Sequence, residues 1–312
     1  MSRSPRSTHP CSDDADDPFG EIDDPVRRRR PRPLTSGPRL VVEGRSGRAT
    51  PDLDLGIDAG PPFSSYDVAS HGPDPVPDWV ITSASARDTT LGPLKSGKEA
   101  DVALLERAVP SGPGSLLAVK TYRDSHHRMF HRDSGYQEGR RTRRSRESRA
   151  MATRTAFGRE LLASKWATAE FAVLSTLWRA GANVPYPVQM LGSELMMEFI
   201  GSPDGVAAPR LSSWTGDAAE FTELWHDLVA GLEILAQEGL THGDLSPYNV
   251  LVHQDRCVII DLPQAVDVIA NPQGETFLRR DTQVIAGFFA RRGVLEADGE
   301  LLALHLGGIA RG

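Results

Sequence analysis

Apolar residues are spread unevenly along this chain. Residues 1 to 77 hold no sustained period of 2 or 3.6. They are dominated by Asp, Pro, Gly, Ser and Arg, in runs such as CSDDADDPFGEIDDP and RRRRPRP, and that composition predicts a disordered tail. From Asp78 the pattern changes. SLLAVKTY, residues 115–122, reads as a buried strand carrying one lysine, Lys120, and it follows a loop, KSGKEADVALLER, at 95–107. A polar and basic insertion near 123–158, with the run RRTRRSRESR at 140–149, predicts a mobile loop. Leu162, Trp166, Phe171, Leu174, Leu177 and Trp178 then fall at helical spacing, with Gly181 as a stop. ELMMEFIG, 194–201, reads as another strand. Trp214, Phe221, Leu224, Trp225, Leu228, Leu232 and Leu235 mark a second amphipathic helix closed by Gly239. A last helical stretch centres on ETFLRRDTQVIAGFFARR.

Composition narrows the classes. The chain has 312 residues, 39% of them hydrophobic, which suffices for one large or two ordinary domains. The first residues lack the apolar segment of a secretory signal, and no run of about 18 apolar residues occurs; a soluble protein of the cytoplasm with no membrane contact is expected. Two cysteines, Cys11 and Cys257, build neither a disulfide framework nor a thiolate zinc site. A net charge of −7 argues against a nucleic-acid coat, although the basic run is a local exception.

The candidate chemistry lies in HGDLSPYN, residues 242–249, which places Asp244 and Asn249 five positions apart ahead of the strand VLV and of CVIID, ending in Asp261. A hairpin gathers these three oxygen-bearing side chains around one small volume. One turn Asp alone would satisfy backbone donors. The succession of loop, lysine strand, helix with a Glu, connector strand, helix, Asp/Asn loop and hairpin matches a protein-kinase-like fold. That makes an α+β protein of two lobes, with the tail at 1–77, an N-lobe and hinge at 78–201 and a C-lobe at 202–312. The kinase motif H-R-D-L-x-x-x-N is kept in spacing, with Gly243 in place of the arginine. It casts Asp244 as the residue that receives or orients a proton, and Asn249 and Asp261 as magnesium ligands beside the phosphates of ATP.

KSGKEADV, WATAEF, VPYP, MEFIG, HGDLSPYN and IIDLPQAVD follow one another in order between residues 80 and 292. They resemble the loops STGKEANVY, W-x-x-x-E-F, VPxP, MEFIG, HGDLSxYN and IIDxPQAVD of the RIO family of atypical serine/threonine protein kinases, in wording closer to its first branch. The resemblance implies that Ser96, Gly97 and Lys98 form a shortened phosphate loop. It implies that Lys120 grips the α and β phosphates, and that Glu170 orients it; Glu160 is a competing choice without the Trp-x-x-x-Glu-Phe context. Met197, Glu198 and Ile200 would form the hinge that meets adenine. It further implies an enzyme using ATP and Mg2+, with Mn2+ as a substitute, that acts on a protein substrate, on itself or by ATP hydrolysis. Asp261 itself is a candidate phosphoryl acceptor.

Departures from the kinase pattern set the alternatives. Leu-Pro follows Asp261 where a regulated kinase carries Phe-Gly, no A-P-E sequence appears, and the C-terminal lobe reads as truncated. Small-molecule phosphotransferases of the aminoglycoside or choline kinase type share HGDLxxxN, but they predict an aromatic residue after the metal-binding Asp. A scaffold is the other rival: ATP binding would order a surface whose Arg-rich loop contacts ribosome or RNA, with strong salt dependence. Taken singly, Lys120 could serve as an edge-strand residue and Glu170 as a surface residue. Asp244, Asn249 and Asp261 together favour chemistry.

Overall fold

The computed structural model describes residues 61–123 and 156–312, which fall within one compact unit, Asp58–Gly312. The predicted disorder of residues 1–60, the mobile basic loop and the RNA or ribosome contact assigned to it lie outside the described residues.

Six strands form an antiparallel sheet in the order β1-β5-β6-β4-β3-β2. They are β1 (Ser70–His71), β2 (Arg87–Ser96), β3 (Ala100–Ala108), β4 (Gly114–Tyr122), β5 (Pro187–Leu191) and β6 (Glu194–Glu198). Most of the expected 95–107 loop is therefore strand. β2 and β3 pair from Arg87↔Ala108 to Ser96↔Asp101, and the turn is confined to 97–99. Leu105 of β3 packs with Leu117 and Val119 of β4 in one apolar cluster, a sheet face that a loop would leave wet.

Ordered structure also begins before Asp78. β1 pairs with β5 through Ser70↔Met190 and His71↔Gln189, and Phe63 bridges to Arg87 on the opposite edge of the sheet. The segment 61–77, expected to belong to the tail, is held by Tyr66, which is buried in the apolar cluster with Val80, Leu105, Leu117, Tyr186 and Met196. One polar network pins the same face. Arg107, 1% exposed, donates two hydrogen bonds of 2.7 and 2.8 Å to the Asp88 carboxylate and one of 2.8 Å to Gln189, whose amide donates to Ser65. A Pro- and Gly-rich composition hides such an attachment because it has no periodicity.

Helix α1 (Ala156–Arg179) crosses behind the sheet. It ends where Gly181 takes φ +87°, a conformation that closes the last turn and that a side chain would resist. Helix α2 (Ala218–Gln237) starts with a capping box: Asp217 accepts from the amides of Ala219 and Glu220, both at 2.9 Å, and the Glu220 carboxylate accepts from the Asp217 amide at 2.8 Å. Trp214, expected on this helix, lies before it, after a short 3-10 turn. Beyond α2 come β7 (Leu240–Thr241), the hairpin β8 (Val250–His253) and β9 (Arg256–Ile259), β10 (Val266–Asp267) and two helices, α3 (Gly274–Ala290) and α4 (Gly299–Arg311). The last of these was not foreseen. Leu302 and Leu306 of α4 join Leu224, Leu228 and Leu232 of α2, and Ile285 and Phe289 of α3, in one core. Leu174 and Leu177 of α1 enter the same core, so the helix bearing Glu170 is anchored in it as well as against the sheet.

Breaking a buried ion pair leaves the partner charge without compensation, at a cost of about 3–5 kcal/mol. Asp88→Ala is therefore expected to lower unfolding free energy in urea by about 3 kcal/mol. A loss below about 1 kcal/mol would assign Arg107 a water-compensated role instead.

Candidate active site

The site is assembled from strand alternation, one helix and two loops. On β4, Lys120 and Tyr122 are two residues apart and share a face. α1 brings Glu170 to both: Lys120 Nζ donates to Glu170 Oε1 at 2.8 Å, and the Tyr122 hydroxyl donates to Oε2 through a short hydrogen bond. Glu170 is 1% exposed, and its Oε1 also accepts from the Leu262 amide at 3.1 Å. Lys120 Nζ donates a second bond, of 2.7 Å, to Asp261 Oδ1. One ammonium thus joins strand, helix and the loop after β9.

Charge and burial compete at this junction. Burial alone would push the Lys120 ammonium toward neutrality, but the Glu170 and Asp261 carboxylates outweigh it and hold its pKa above that of an ordinary lysine. Burial likewise raises Asp261, yet Lys120, with smaller help from Lys95 and His242, holds its carboxyl below the usual aspartate value. The Tyr122 phenol is raised well above its ordinary value, first by burial and then by the Glu170 charge, so it stays a donor. Asp261 has φ +66°, a left-handed conformation uncommon outside glycine. The fully buried Leu262 behind it and the Leu262 amide on Glu170 hold that backbone in place.

The HGDLSPYN loop is fixed from below. Asp281 of α3, 2% exposed, accepts from the amides of Gly243 at 2.7 Å and Leu245 at 2.9 Å and from the Thr241 hydroxyl at 2.9 Å. Burial raises its carboxyl above the ordinary value, with His242 and these donors offsetting part of the effect. Gly243 has φ +81°, which accounts for glycine where the kinase motif has arginine. His242 is fully buried. Its Nδ1 accepts from the Asp244 amide at 3.3 Å and its Nε2 faces the Ile260 carbonyl at 3.0 Å, which defines an Nε2–H tautomer bonded to backbone. Asn249 donates from Nδ2 to the Asp244 carbonyl at 2.9 Å, and its backbone carbonyl accepts from the Ile260 amide at 3.0 Å. Asp244 carries a partner the sequence did not suggest: Arg280 of α3 donates to its Oδ1 at 2.9 Å.

A cleft of about 740 Å3 opens above these supports. Gly97, Lys98, Lys120, Glu170, Met197, Glu198, Ile200, Asp244, Asn249 and Asp261 all line it. Ser96 does not. Its hydroxyl donates to Asp101 at 2.7 Å and accepts from Arg123 at 2.8 Å, which draws it toward that exposed ion pair. The Glu198 carboxylate accepts from the Tyr186 amide at 3.1 Å, and burial raises its pKa. Sequence reasoning missed Lys95, Tyr122, Arg280 and Asp281. Tyr122 was accessible from its i+2 relation to Lys120; the others depend on tertiary placement.

A two-lobed scaffold with a buried lysine–glutamate pair, and an Asp, an Asn and a second Asp gathered on one cleft, defines a protein-kinase-like phosphotransferase. The family model for the RIO domain matches residues 109–301. The RIO-type serine/threonine-protein kinase Rio1 of Haloferax volcanii is 34% identical over 216 residues, covering 69% of this chain and 68% of that protein. The serine/threonine-protein kinase RIO1 of Saccharomyces cerevisiae is 33% identical over 132 residues, which are 41% of this chain and 27% of that one. A crystal structure of the Rio2 kinase–ADP/Mg2+–phosphoaspartate complex from Chaetomium thermophilum aligns with a TM-score of 0.47 at 24% identity, covering 67% of this chain and 56% of that chain. The chain belongs to the RIO family of atypical, ATP-dependent serine/threonine-protein kinases. Membership sets aside the aminoglycoside and choline kinase alternative. No helix among the described residues is long and apolar enough to cross a membrane.

The lowered folded-state pKa of Asp261 has a defined pH signature. A carboxyl depressed by folding contributes stability that is fully present above its unfolded value of about 3.9 and is lost as pH falls through the folded value. The stability difference between wild type and Asp261→Asn, read from urea titrations, should therefore be flat from pH 7 to 5 and shrink below about pH 4. A difference independent of pH down to 3 would remove the ionised Asp261–Lys120 pair from the stability of the fold.

Proposed function

We propose that this chain binds ATP with Mg2+ in the cleft and transfers the terminal phosphoryl group to protein, to itself or to water. The observation that carries the reading is Lys120, held between Glu170 and Asp261 on the same cleft as Asp244 and Asn249.

The donor set fits magnesium. Asn249 commits its N–H to the Asp244 carbonyl, which leaves Oδ1 as a hard oxygen ligand, and Asp261 is an anion that already attracts cations, the ammonium groups of Lys120 and Lys95. Among the described residues no group of three or more His, Cys, Asp or Glu side chains could hold a metal by itself. That suits an ion shared with phosphates, because Mg2+ usually takes one or two carboxylates and retains waters. Mn2+ prefers the same oxygen ligands. When bound, the ion neutralises phosphate charge.

In this reading the residues up to Gly201 and those from Ser202 act as two lobes around the nucleotide. Lys120 grips the α and β phosphates while Glu170 and Tyr122 hold it in place. Gly97 presents backbone and Lys98 a positive charge to the phosphates. The backbone of Met197, Glu198 and Ile200 receives adenine. Asp244 orients the acceptor and takes its proton; the Arg280 guanidinium keeps the carboxylate aimed. Asp261, ionised and fixed by its backbone, is the nearest carboxylate for self-phosphorylation. A reducing cytoplasm is the setting we propose, because Cys11 and Cys257 build no disulfide framework; Cys257 is buried, and that burial pushes its thiol up to about 12.

Incubation with γ-labelled ATP and Mg2+ distinguishes the fates of the label: free phosphate, protein or added substrate. Wild type should release phosphate slowly and accumulate protein label that hydroxylamine cleaves, as an acyl phosphate would. Asp261→Asn, folded by circular dichroism, should lose both. Asp244→Ala should reduce turnover by about 10²- to 10⁴-fold, the range for a positioned base. Normal phosphate release by a folded Asp261→Asn variant would overturn the metal assignment.

A further inference from the structure

The phosphate-facing side of the cleft carries a lysine that the RIO resemblance did not assign. Lys95 lies on β2 just before the turn and lines the same cavity as Lys98 and Lys120. Its Nζ is 4.0 Å from Asp261 Oδ2, while Lys120 holds the other carboxylate oxygen at 2.7 Å. The RIO loop STGKEANVY has serine where this chain has Lys95.

A backbone irregularity aims this side chain. Pairing between β2 and β3 runs from Pro93↔Ala103 to Lys95↔Val102, so β2 advances two residues while β3 advances one. The extra residue, Leu94, makes a β-bulge, a device that bends a strand and redirects side chains. Beyond it both Leu94 and Lys95 line the cleft, although regular alternation would send neighbours to opposite faces.

Mobility separates the two lysines on Asp261. Lys120 is 9% exposed and bonded to two carboxylates, so it is committed to its place. Lys95 is 47% exposed and makes a single long contact, so its four-carbon stem can redirect the ammonium at little cost. A magnesium ion held by Asp261 would repel that ammonium, and the nearest anions would be the oxygens at the distal end of the triphosphate. Lys98 and Lys120 account for the other phosphates in the proposed reading, on which this inference rests.

We propose that Lys95 is a nucleotide-binding residue that contacts the terminal phosphate of ATP and makes the cleft favour ATP over ADP. The contact belongs to binding, and no bond is made or broken by it.

The test measures Kd by calorimetry for ADP and for an imido analogue of ATP, each with Mg2+, in wild type and in Lys95→Ser, Lys95→Met and Lys95→Arg. Lys95→Met keeps the apolar stem without the charge, and circular dichroism checks each variant. Lys95→Ser and Lys95→Met should lose about tenfold in affinity for the ATP analogue, the order expected of one charge-assisted contact, and less than about twofold for ADP. Lys95→Arg should stay within about threefold of wild type for both. Equal losses for the two nucleotides, or no loss for the analogue in Lys95→Met, would overturn the proposal. Failure of wild type itself to bind either nucleotide would overturn the reading of the cleft, and this inference with it, and is told apart because it is seen before any substitution.

Discussion

The site depends on one ammonium group shared by two carboxylates. Lys120 is nearly buried, and so is Glu170. Neither charge could stay there without the other, because an isolated charge in such a place costs several kcal/mol. Their contact therefore fixes the distance between β4 and α1, and the second bond, to Asp261, fixes the loop after β9 to the same point. Three elements distant in sequence meet through charge. Glu170 does more than neutralise: with Lys120, the Tyr122 hydroxyl and the Leu262 amide as donors, its two oxygens are satisfied from three directions, which sets the carboxylate plane.

A second constraint works from below the cleft. Asp281 gathers the Gly243 and Leu245 amides and the Thr241 hydroxyl, so the Asp244 loop rests on helix α3 through bonds to backbone. Backbone anchoring leaves the Asp244 and Asn249 side chains available to the cleft. It also explains how a loop of eight residues without helix or strand can hold one geometry: one buried carboxylate satisfies two of its amides, and the Asp244 and Asn249 amides find His242 Nδ1 and the Ser246 carbonyl. Helix α3 then serves twice, since Arg280, adjacent to Asp281, reaches the Asp244 side chain itself.

The elements read most plainly in the sequence were those with a strong period. α2 and the β8–β9 hairpin were legible from apolar spacing and turn residues, and the Lys120 strand from its apolar run. The residues gathered on the cleft were legible as a motif set because each carries a functional group at a spacing that backbone geometry makes meaningful. Three kinds of information were not. The attachment of 61–77 rests on Tyr66 and on the Arg107–Asp88–Gln189 network, whose members are scattered along the chain. The β2–β3 pairing was read as loop because glycine, lysine and acidic residues on its exposed side mask the alternation. Ser96 was placed with the phosphates by motif position, whereas Asp101 and Arg123 compete for its hydroxyl.

The Leu-Pro pair after Asp261 shows how this cleft differs from that of a kinase with a mobile Asp-Phe-Gly segment. In an Asp-Phe-Gly segment the glycine two residues after the Asp leaves the backbone free to swing; two residues after Asp261 this chain has Pro263, whose φ is fixed by its ring. The preceding Leu262 is completely buried in the main core, and its amide is bonded to Glu170. Moving Asp261 out of the cleft would break that bond, expose a leucine worth about 1.5–3 kcal/mol of burial and deprive the buried Lys120 ammonium of one of its two carboxylates, leaving it to Glu170. Each penalty falls on residues that line the cleft or anchor it, the place proposed for the nucleotide. Control by relocating this aspartate is therefore disfavoured by the core itself, and what remains adjustable is the half-exposed periphery: the Asp244–Arg280 pair and Lys95 at the end of β2.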